Sequence, residues 1–273
     1  MCGIVGFTGR ENALPILIKG LYSLEYRGYD SAGIAAFTKE GLRVVKTRGR
    51  IANLEEKIRE VGCDMECTCG IGHTRWATHG EPSDRNSHPH LGGKGKVAVV
   101  HNGIIENYKE LRERLEAHGY EFKSETDTET VAHLVDYLHT GKQEDLAKTV
   151  LAAVQRLRGS YALGVVSMDN TQEIVAARRG NPLVIGIGEG ENMIASDITA
   201  IISRTRKFII LDDNEVAIVR PDEVIVMNEF GDKVEKEVQT VNWDMSAAEK
   251  GGYQHFMLKE IMEQPKAVTD TVT

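Results

Sequence analysis

A cysteine at the second position is the residue of this sequence best placed to do chemistry. Cysteine is small enough for Met1 to be removed, and Cys2 would then carry a thiol and a free α-amine on one Cα. One residue could thus supply both a nucleophile and a general base, because a terminal α-amine titrates near ~7.7–8.0. A near-terminal cysteine is more often a small apolar residue that opens an edge strand. The chemical interpretation therefore depends on the rest of the chain.

Two further polar segments could act on a substrate held beside Cys2. In residues 72–82, Arg75 can bind a carboxylate through two parallel hydrogen bonds, and Trp76 can cover a small ligand and exclude water. After the apolar run 97–100, the amide of Asn102 and the N–H of Gly103 offer the pair of donors that an acyl-transfer oxyanion requires. An ordinary strand-to-helix turn explains the Asn-Gly pair equally well.

A further segment supplies a carboxylate, the kind of group that can bind the α-ammonium of an amino acid. Thr126 and Glu129 fit a capping box, which would place Asp127 in the first turn of a helix as a fixed carboxylate. Together the segments predict an amino-acid site. Arg75 would bind the α-carboxylate, Asp127 the α-ammonium, and the two donors at 102–103 the oxyanion formed by attack of the cysteine.

Hydrophobic periodicity indicates the elements that must position these groups. Apolar residues at helical spacing predict five helices, and β-rich runs predict eight strands. The helices cover 14–24, 51–61, 104–115, 131–138 and 146–157, and the strands cover 34–37, 42–45, 97–100, 161–166, 173–177, 183–187, 216–219 and 224–227. Several strands are separated only by tight turns, so antiparallel sheets covered by helices, an α+β fold, are expected.

Composition limits the classes of partner. The 273 residues are 41% hydrophobic and 27% charged, with a net charge of −8, which argues against a nucleic-acid or anionic-membrane surface. The chain contains neither an apolar run of roughly 20 residues nor a secretion signal, so a cytoplasmic location is expected. Cys63, Cys67 and Cys69 near His73 lack the usual spacing of zinc ligands, and we predict neither a metal nor a cofactor.

Several longer motifs resemble one known family. They are Cys2-Gly3-Ile4-Val5-Gly6 and the segments 24–33, 73–82, 100–107 and 124–129. The chain resembles, over nearly its whole length, the glutamine-hydrolysing domain of the class II (N-terminal nucleophile) amidotransferases. Arg-Gly-Tyr-Asp-Ser at 27–31 and His-Thr-Arg-Trp-Ala-Thr-His-Gly at 73–80 are characteristic of the hexosamine branch, which passes ammonia from glutamine to fructose 6-phosphate and forms glucosamine 6-phosphate.

The resemblance implies a fold and a reaction. The fold would be a four-layer αββα sandwich of the N-terminal nucleophile hydrolase type. Cys2 would attack the glutamine side-chain amide, releasing ammonia and then glutamate. In the family the segment with Arg75, Trp76, Thr78 and His79 closes over glutamine. Arg27 lies in a loop that orders the N-terminal residue, and His88 is linked to coupling between domains.

The resemblance also implies a domain organisation. Residues 1–250 would form the glutaminase domain, and residues 251–273 a terminal helix and the start of a linker to a C-terminal sugar-phosphate isomerase domain. The full-length enzyme would be a homodimer. Two alternatives remain: an amidotransferase of the same fold that transfers to a phosphoribosyl group, and a catalytically silent module that binds glutamine. The motif at 27–30 argues against the first, and the intact chemical set against the second.

Overall fold

The computed structural model describes residues 2–61, 67–139, 145–241, 253 and 256–272. Cys63 lies outside these residues. Two antiparallel sheets stack face to face, and helices cover the outer face of each. The predicted α+β class and the four-layer αββα sandwich are both confirmed.

The first sheet has eight strands and contains the N-terminal strand. Its members are β1 Gly3–Thr8, β2 Ser31–Thr38, β3 Gly41–Arg48, β4 Cys69–Arg75, β9 Val184–Ile187, β10 Asn192–Ala195, β11 Lys207–Ile210 and β15 Gln239–Thr240. They follow the order β15-β11-β9-β10-β1-β4-β2-β3. The strand that carries Cys2 at its start therefore lies in the interior of the sheet, between β10 and β4.

The second sheet has seven strands. They are β5 His90–Leu91, β6 Val97–Ile105, β7 Gly159–Ser167, β8 Asn170–Arg179, β12 Glu215–Arg220, β13 Glu223–Met227 and β14 Lys233–Val234. Their order is β14-β13-β12-β8-β7-β6-β5. Strand β6, which contains Asn102, is paired with β7 along its whole length, from Val97 with Ser167 to Ile105 with Gly159.

Side-chain alternation in the strands creates the layers, because successive residues point to opposite faces of a sheet. In β1, Val5 and Phe7 pack toward the outer helices, whereas Ile4 packs between the two sheets. Helices α1 Ala13–Leu24 and α2 Ile51–Glu60 cover the first sheet. Helices α3 Tyr108–Ala117, α4 Asp127–Leu138 and α5 Leu146–Val154 cover the second.

One sequence prediction about the elements was wrong. The helix expected from residue 104 begins at Tyr108, because pairing with β7 extends β6 to Ile105 and overrides the turn preference of Asn-Gly. The short strands β10 and β11 were not predicted. Helix α6, Phe256–Val272, contains Pro265 and continues past it. None of the helices among the described residues is long and apolar enough to cross a membrane.

Candidate active site

Cys2 lies just before β1, where the ends of the two sheets meet. Its Sγ accepts a hydrogen bond from the main-chain N–H of Trp76 at 3.2 Å and lies 3.4 Å from the carbonyl oxygen of the same residue. Burial raises the pKa of the Cys2 thiol, which the Trp76 N–H offsets only in part. The thiol is therefore protonated near neutral pH and needs a base to become a nucleophile.

Asn102 crosses from the second sheet to the nucleophile. Its Nδ2 donates to the carbonyl oxygen of Cys2 at 3.2 Å, and its Oδ1 is 2.9 Å from Nε2 of His73. The same Nε2 is 2.9 Å from the carbonyl oxygen of His101. A carbonyl can only accept, so His73 Nε2 must carry the proton, and Asn102 must turn its oxygen toward His73 and its NH₂ toward Cys2.

His73 contacts Asn102 and is not among the site residues that the sequence predicted. Its imidazole is fully buried, and burial lowers its pKa to about 3, so it stays neutral and keeps Nε2 as a fixed donor. The available signal was the alternation of β4. Cys69 and Ile71 face the space between the sheets, and His73 follows them on the same face as a polar residue in an apolar layer.

Gly103 allows the main chain of β6 to lie close to the neighbouring strand β7. Its φ is +131°, which strongly favours glycine. A Cβ at this position would be only 2.1 Å from the carbonyl oxygen of Ser160 on the neighbouring strand. Asn102 and Gly103 lie within β6 and not after it, so the prediction that they follow the strand was wrong, because the ladder with β7 continues through them.

Asp127 begins α4 and is held in place. Its Oδ2 accepts the N–H of Ile105 at 2.8 Å, and the residue is 3% exposed. Thr126 caps the helix by accepting the N–H of Glu129 at 3.3 Å, which confirms half of the predicted capping box. Glu129 does not return the bond to Thr126, since its carboxylate accepts the N–H groups of Lys123 and Ser124 at 2.9 and 2.6 Å.

Arg75 ends β4 and is buried under the loop that follows it. Its guanidinium donates to the carbonyl oxygens of Gly80 at 3.0 Å and of His79, and it lies 3.9 Å from the carboxylate of Asp30. Asp30 also accepts the N–H of Ala77. The strand extends to Arg75, so the loop begins at Trp76. Carbonyl groups of the loop thus accept hydrogen bonds from the guanidinium of Arg75.

The rest of this loop lines the same cavity as Cys2. Trp76 is 54% exposed, and its ring covers Gly28, where an added Cβ would be 2.6 Å from a ring carbon. The imidazole of His79 packs against the ring of Tyr108 with 5.3 Å between centroids, and its Nδ1 is 3.4 Å from Oγ1 of Thr78.

The two predicted supporting residues lie on different sides of Cys2. Arg27 donates to the carbonyl oxygen of Ser196 at 3.3 Å, and Oγ of Ser196 accepts the N–H of Ile4 at 3.0 Å. Arg27 thus contacts the turn that holds the strand after Cys2. His88 is buried, with its ring centroid 4.3 Å from that of His73, and burial holds its pKa well below the usual range.

Eight of the ten predicted residues line one small cavity of about 10 Å³. They are Cys2, Arg75, Trp76, Thr78, His79, His88, Gly103 and Asp127. The other two do not line it: Asn102 contacts the carbonyl of Cys2, and Arg27 contacts the carbonyl of Ser196. A larger cavity, about 740 Å³, is lined by residues that include Lys46, Arg85 and Lys94. These three cations already bind carbonyls or carboxylates. Among the described residues no cluster of three His, Cys, Asp or Glu could hold a metal ion.

Sequence comparison identifies relatives of the whole chain. Residues 73–203 match the model of the glutamine amidotransferase domain. All 273 residues align at 53% identity with an enzyme of Clostridium tetani named glutamine--fructose-6-phosphate aminotransferase [isomerizing]. An enzyme of the same name from Aquifex aeolicus is 52% identical over 272 residues. The chain spans only 44% and 45% of the lengths of these two relatives.

Structure comparison identifies the same fold. The glutamine phosphoribosylpyrophosphate amidotransferase of B. subtilis superposes on 84% of the chain with a TM-score of 0.70 and 27% identity. A second structure, described as the allosteric regulatory enzyme of purine biosynthesis, covers 84% with a TM-score of 0.71 and 28% identity. The chain covers 49% of each of these two proteins.

Proposed function

Because the chain belongs to the glutamine amidotransferases, we propose that it hydrolyses L-glutamine to glutamate and ammonia with Cys2 as the nucleophile. The observation that carries this proposal is the contact between Asn102 and Cys2. A neutral His73 fixes the amide NH₂ toward the cysteine, and Gly103 lines the same cavity. Donors held in this way stabilise the oxyanion that forms when a nucleophile attacks an amide.

The reaction begins with a proton transfer, because the buried thiol is protonated. We propose that Met1 is removed and that the α-amine of Cys2 takes the thiol proton as the sulfur attacks the side-chain carbonyl carbon of glutamine. Collapse of the tetrahedral intermediate breaks the C–N bond, and the protonated α-amine of Cys2 gives its proton to the departing nitrogen, which leaves as ammonia. Water then attacks the thioester, and glutamate leaves with the thiol restored.

Substrate binding is assigned to the charged groups of the cavity. We propose that Arg75 binds the α-carboxylate and Asp127 the α-ammonium. Arg75 contacts carbonyls of its own loop, so the substrate would exchange with them, and Trp76, Thr78 and His79 would move with the loop. Arg27 would hold the N-terminal strand through Ser196, and His88 would support His73.

The acceptor of the ammonia is proposed from the relatives. Their name indicates that a longer enzyme would pass ammonia to fructose 6-phosphate and form glucosamine 6-phosphate. We propose that residues 1–250 are the glutaminase domain and that 251–273 lead toward a C-terminal isomerase domain. The full-length enzyme would be a cytoplasmic homodimer that binds neither nucleic acid nor membrane.

Glutamate release by the purified chain tests the reaction. Intact mass should show the loss of Met1, and a glutamine-like affinity label should add its mass to the peptide that contains Cys2. Cys2→Ala should abolish glutamate release and labelling while leaving the melting temperature close to that of the parent. Full activity with Met1 still attached would contradict the α-amine as base, and activity of Cys2→Ala would contradict the nucleophile.

A further inference from the structure

Lys46 is a partly buried cation that does not line the Cys2 cavity. It lies on β3, and its Nζ is 2.8 Å from the carbonyl oxygen of Ser87, 3.2 Å from that of Arg85 and 3.4 Å from that of Pro89. An ammonium has three N–H donors and no acceptor. The three carbonyls therefore use its full donor capacity, and they belong to alternate residues of a single segment, 85–89.

The segment 85–89 lies directly over the strand pair that contains Lys46. Gly33 of β2 is the pairing partner of Lys46. A Cβ at Gly33 would be 2.2 Å from the carbonyl oxygen of His88 and 2.6 Å from Cβ of Lys46. Because Gly33 has no side chain, the segment 85–89 can approach the sheet, where the ammonium of Lys46 binds its carbonyls.

This segment leads to the oxyanion donor through two contacts. His88 lies within it and stacks on His73, with 4.3 Å between ring centroids and 33° between planes. His73 in turn holds Oδ1 of Asn102 at 2.9 Å. If the segment moves away from the sheet, His73 loses the ring that packs against it, and the orientation of the Asn102 amide is no longer fixed.

We propose that Lys46 is a positioning residue for glutamine hydrolysis, whose ammonium holds the segment 85–89 so that His88 and His73 keep Asn102 aimed at Cys2. The inference rests on the proposed glutaminase function and adds to it a residue that touches neither substrate nor nucleophile. It differs from a purely structural role because it depends on the charge state of one side chain.

The surroundings of Lys46 make that charge state sensitive to pH. Burial lowers the pKa of its ammonium to about 8; Glu129 and Asp84 oppose this shift, and Arg75 and Lys57 add to it. A neutral amine has two N–H groups and one lone pair, so one of the three carbonyls would face a lone pair. Activity should therefore fall as the pH rises through the pKa of Lys46.

The experiment compares four proteins: the wild type, Lys46→Met, Lys46→Arg and Lys94→Met. Lys94 lines the same large cavity, and its Nζ donates to the carbonyl oxygen of Asp136, away from 85–89. Lys94→Met is therefore a control that removes one cation from this cavity and leaves the segment bound. For each protein kcat and KM for glutamate release are measured between pH 6.5 and 9.5, and melting temperatures are recorded.

We expect Lys46→Met to lower kcat by about tenfold or more with little change in KM, a smaller loss than the ~10²–10³ for deleting an oxyanion donor outright. Lys46→Arg should keep its activity to higher pH than the wild type, because a guanidinium stays charged throughout this range. Lys94→Met should match the wild type in kcat and in pH profile.

Two results would overturn the inference. One is a folded Lys46→Met with wild-type kcat, and the other is a Lys46→Arg whose alkaline loss occurs at the same pH as that of the wild type. If Lys46→Met does not fold at the assay temperature, the pH profile of Lys46→Arg decides alone. An inactive wild type would instead refute the proposed glutaminase function, so the two failures are distinguishable.

Discussion

Replacing Asn102 by alanine removes the side-chain N–H donor that contacts Cys2 and leaves the sheet in place. Asn102 is paired with Ala162 through main-chain hydrogen bonds that alanine retains. His73 loses one of its two acceptors and keeps the carbonyl of His101 at 2.9 Å. No buried donor is left unpaired, but the two side-chain hydrogen bonds of Asn102, to His73 and to the carbonyl of Cys2, are lost. At about 0.5–1.5 kcal/mol each, the free energy of unfolding should fall by roughly 1–3 kcal/mol.

The effect on the reaction should be larger than the effect on stability. Losing one aimed oxyanion donor costs ~10²–10³ in kcat, about 2.7–4 kcal/mol of transition-state stabilisation. The oxyanion exists only after attack has begun, so KM should change little. Asn102→Asp is a matched variant, because a carboxylate of the same shape could still accept from His73 but would offer no donor.

Steady-state glutamate release over a range of glutamine concentrations gives kcat and KM for each protein. Both variants should show the large loss of kcat, and Asn102→Asp should be at least as slow as Asn102→Ala, since its charge repels the oxyanion. If KM rose and kcat stayed at the wild-type value, Asn102 would be a contact to bound glutamine, and the oxyanion assignment would be refuted.

Three other outcomes are expected. Arg75→Ala and Asp127→Ala should each lower kcat/KM by roughly ten- to two-hundred-fold, the value of a charge-assisted hydrogen bond of about 1.5–3 kcal/mol; equal turnover of N-acylated glutamine would exclude the role of Asp127. His73, His88 and His90 are buried with lowered pKa values, so the unfolded chain binds up to three more protons as the pH falls below ~6.5. Urea unfolding should then show stability falling by up to about 4 kcal/mol per pH unit below pH ~5.5, and a flat profile from pH 7.5 to 5 would contradict their buried neutral state. The 273 residues assayed alone with glutamine and fructose 6-phosphate should release glutamate without forming glucosamine 6-phosphate, and detection of amino sugar by mass spectrometry would place an acceptor site within them.

Features that depend on neighbouring residues could be predicted from the sequence. The cap of α4 is one example, because Thr126 and Glu129 lie within one helical turn. The resemblance to a known family, carried by its motifs, also indicated which residues would surround Cys2, and eight of ten line its cavity. The other half of the cap was not predictable, since Glu129 binds Lys123 and Ser124 through a bend that precedes the helix.

Features that depend on the register between sheets could not be predicted. The role of His73 requires β4 of one sheet to place an imidazole against β6 of the other, and a single sequence does not fix that alignment. The same limit explains the error at Asn102 and Gly103. Their residue types favour a turn, and only pairing with β7 keeps them in the strand.

The packing of the two sheets holds Cys2 and Asn102, whereas Arg75 contacts carbonyls of a loop. Cys2 precedes a strand of the first sheet, and Asn102 belongs to a strand of the second, so the distance between nucleophile and oxyanion donor is set by how the sheets pack. The apolar layer between them, which includes Ile4 and Val100, is close-packed and resists small displacements. Arg75 instead contacts the carbonyls of a loop, which a substrate carboxylate can replace. The apolar core therefore fixes Cys2 and Asn102 relative to each other. Arg75, held at the end of β4, would under the proposed function exchange the carbonyls of the following loop for the carboxylate of the substrate.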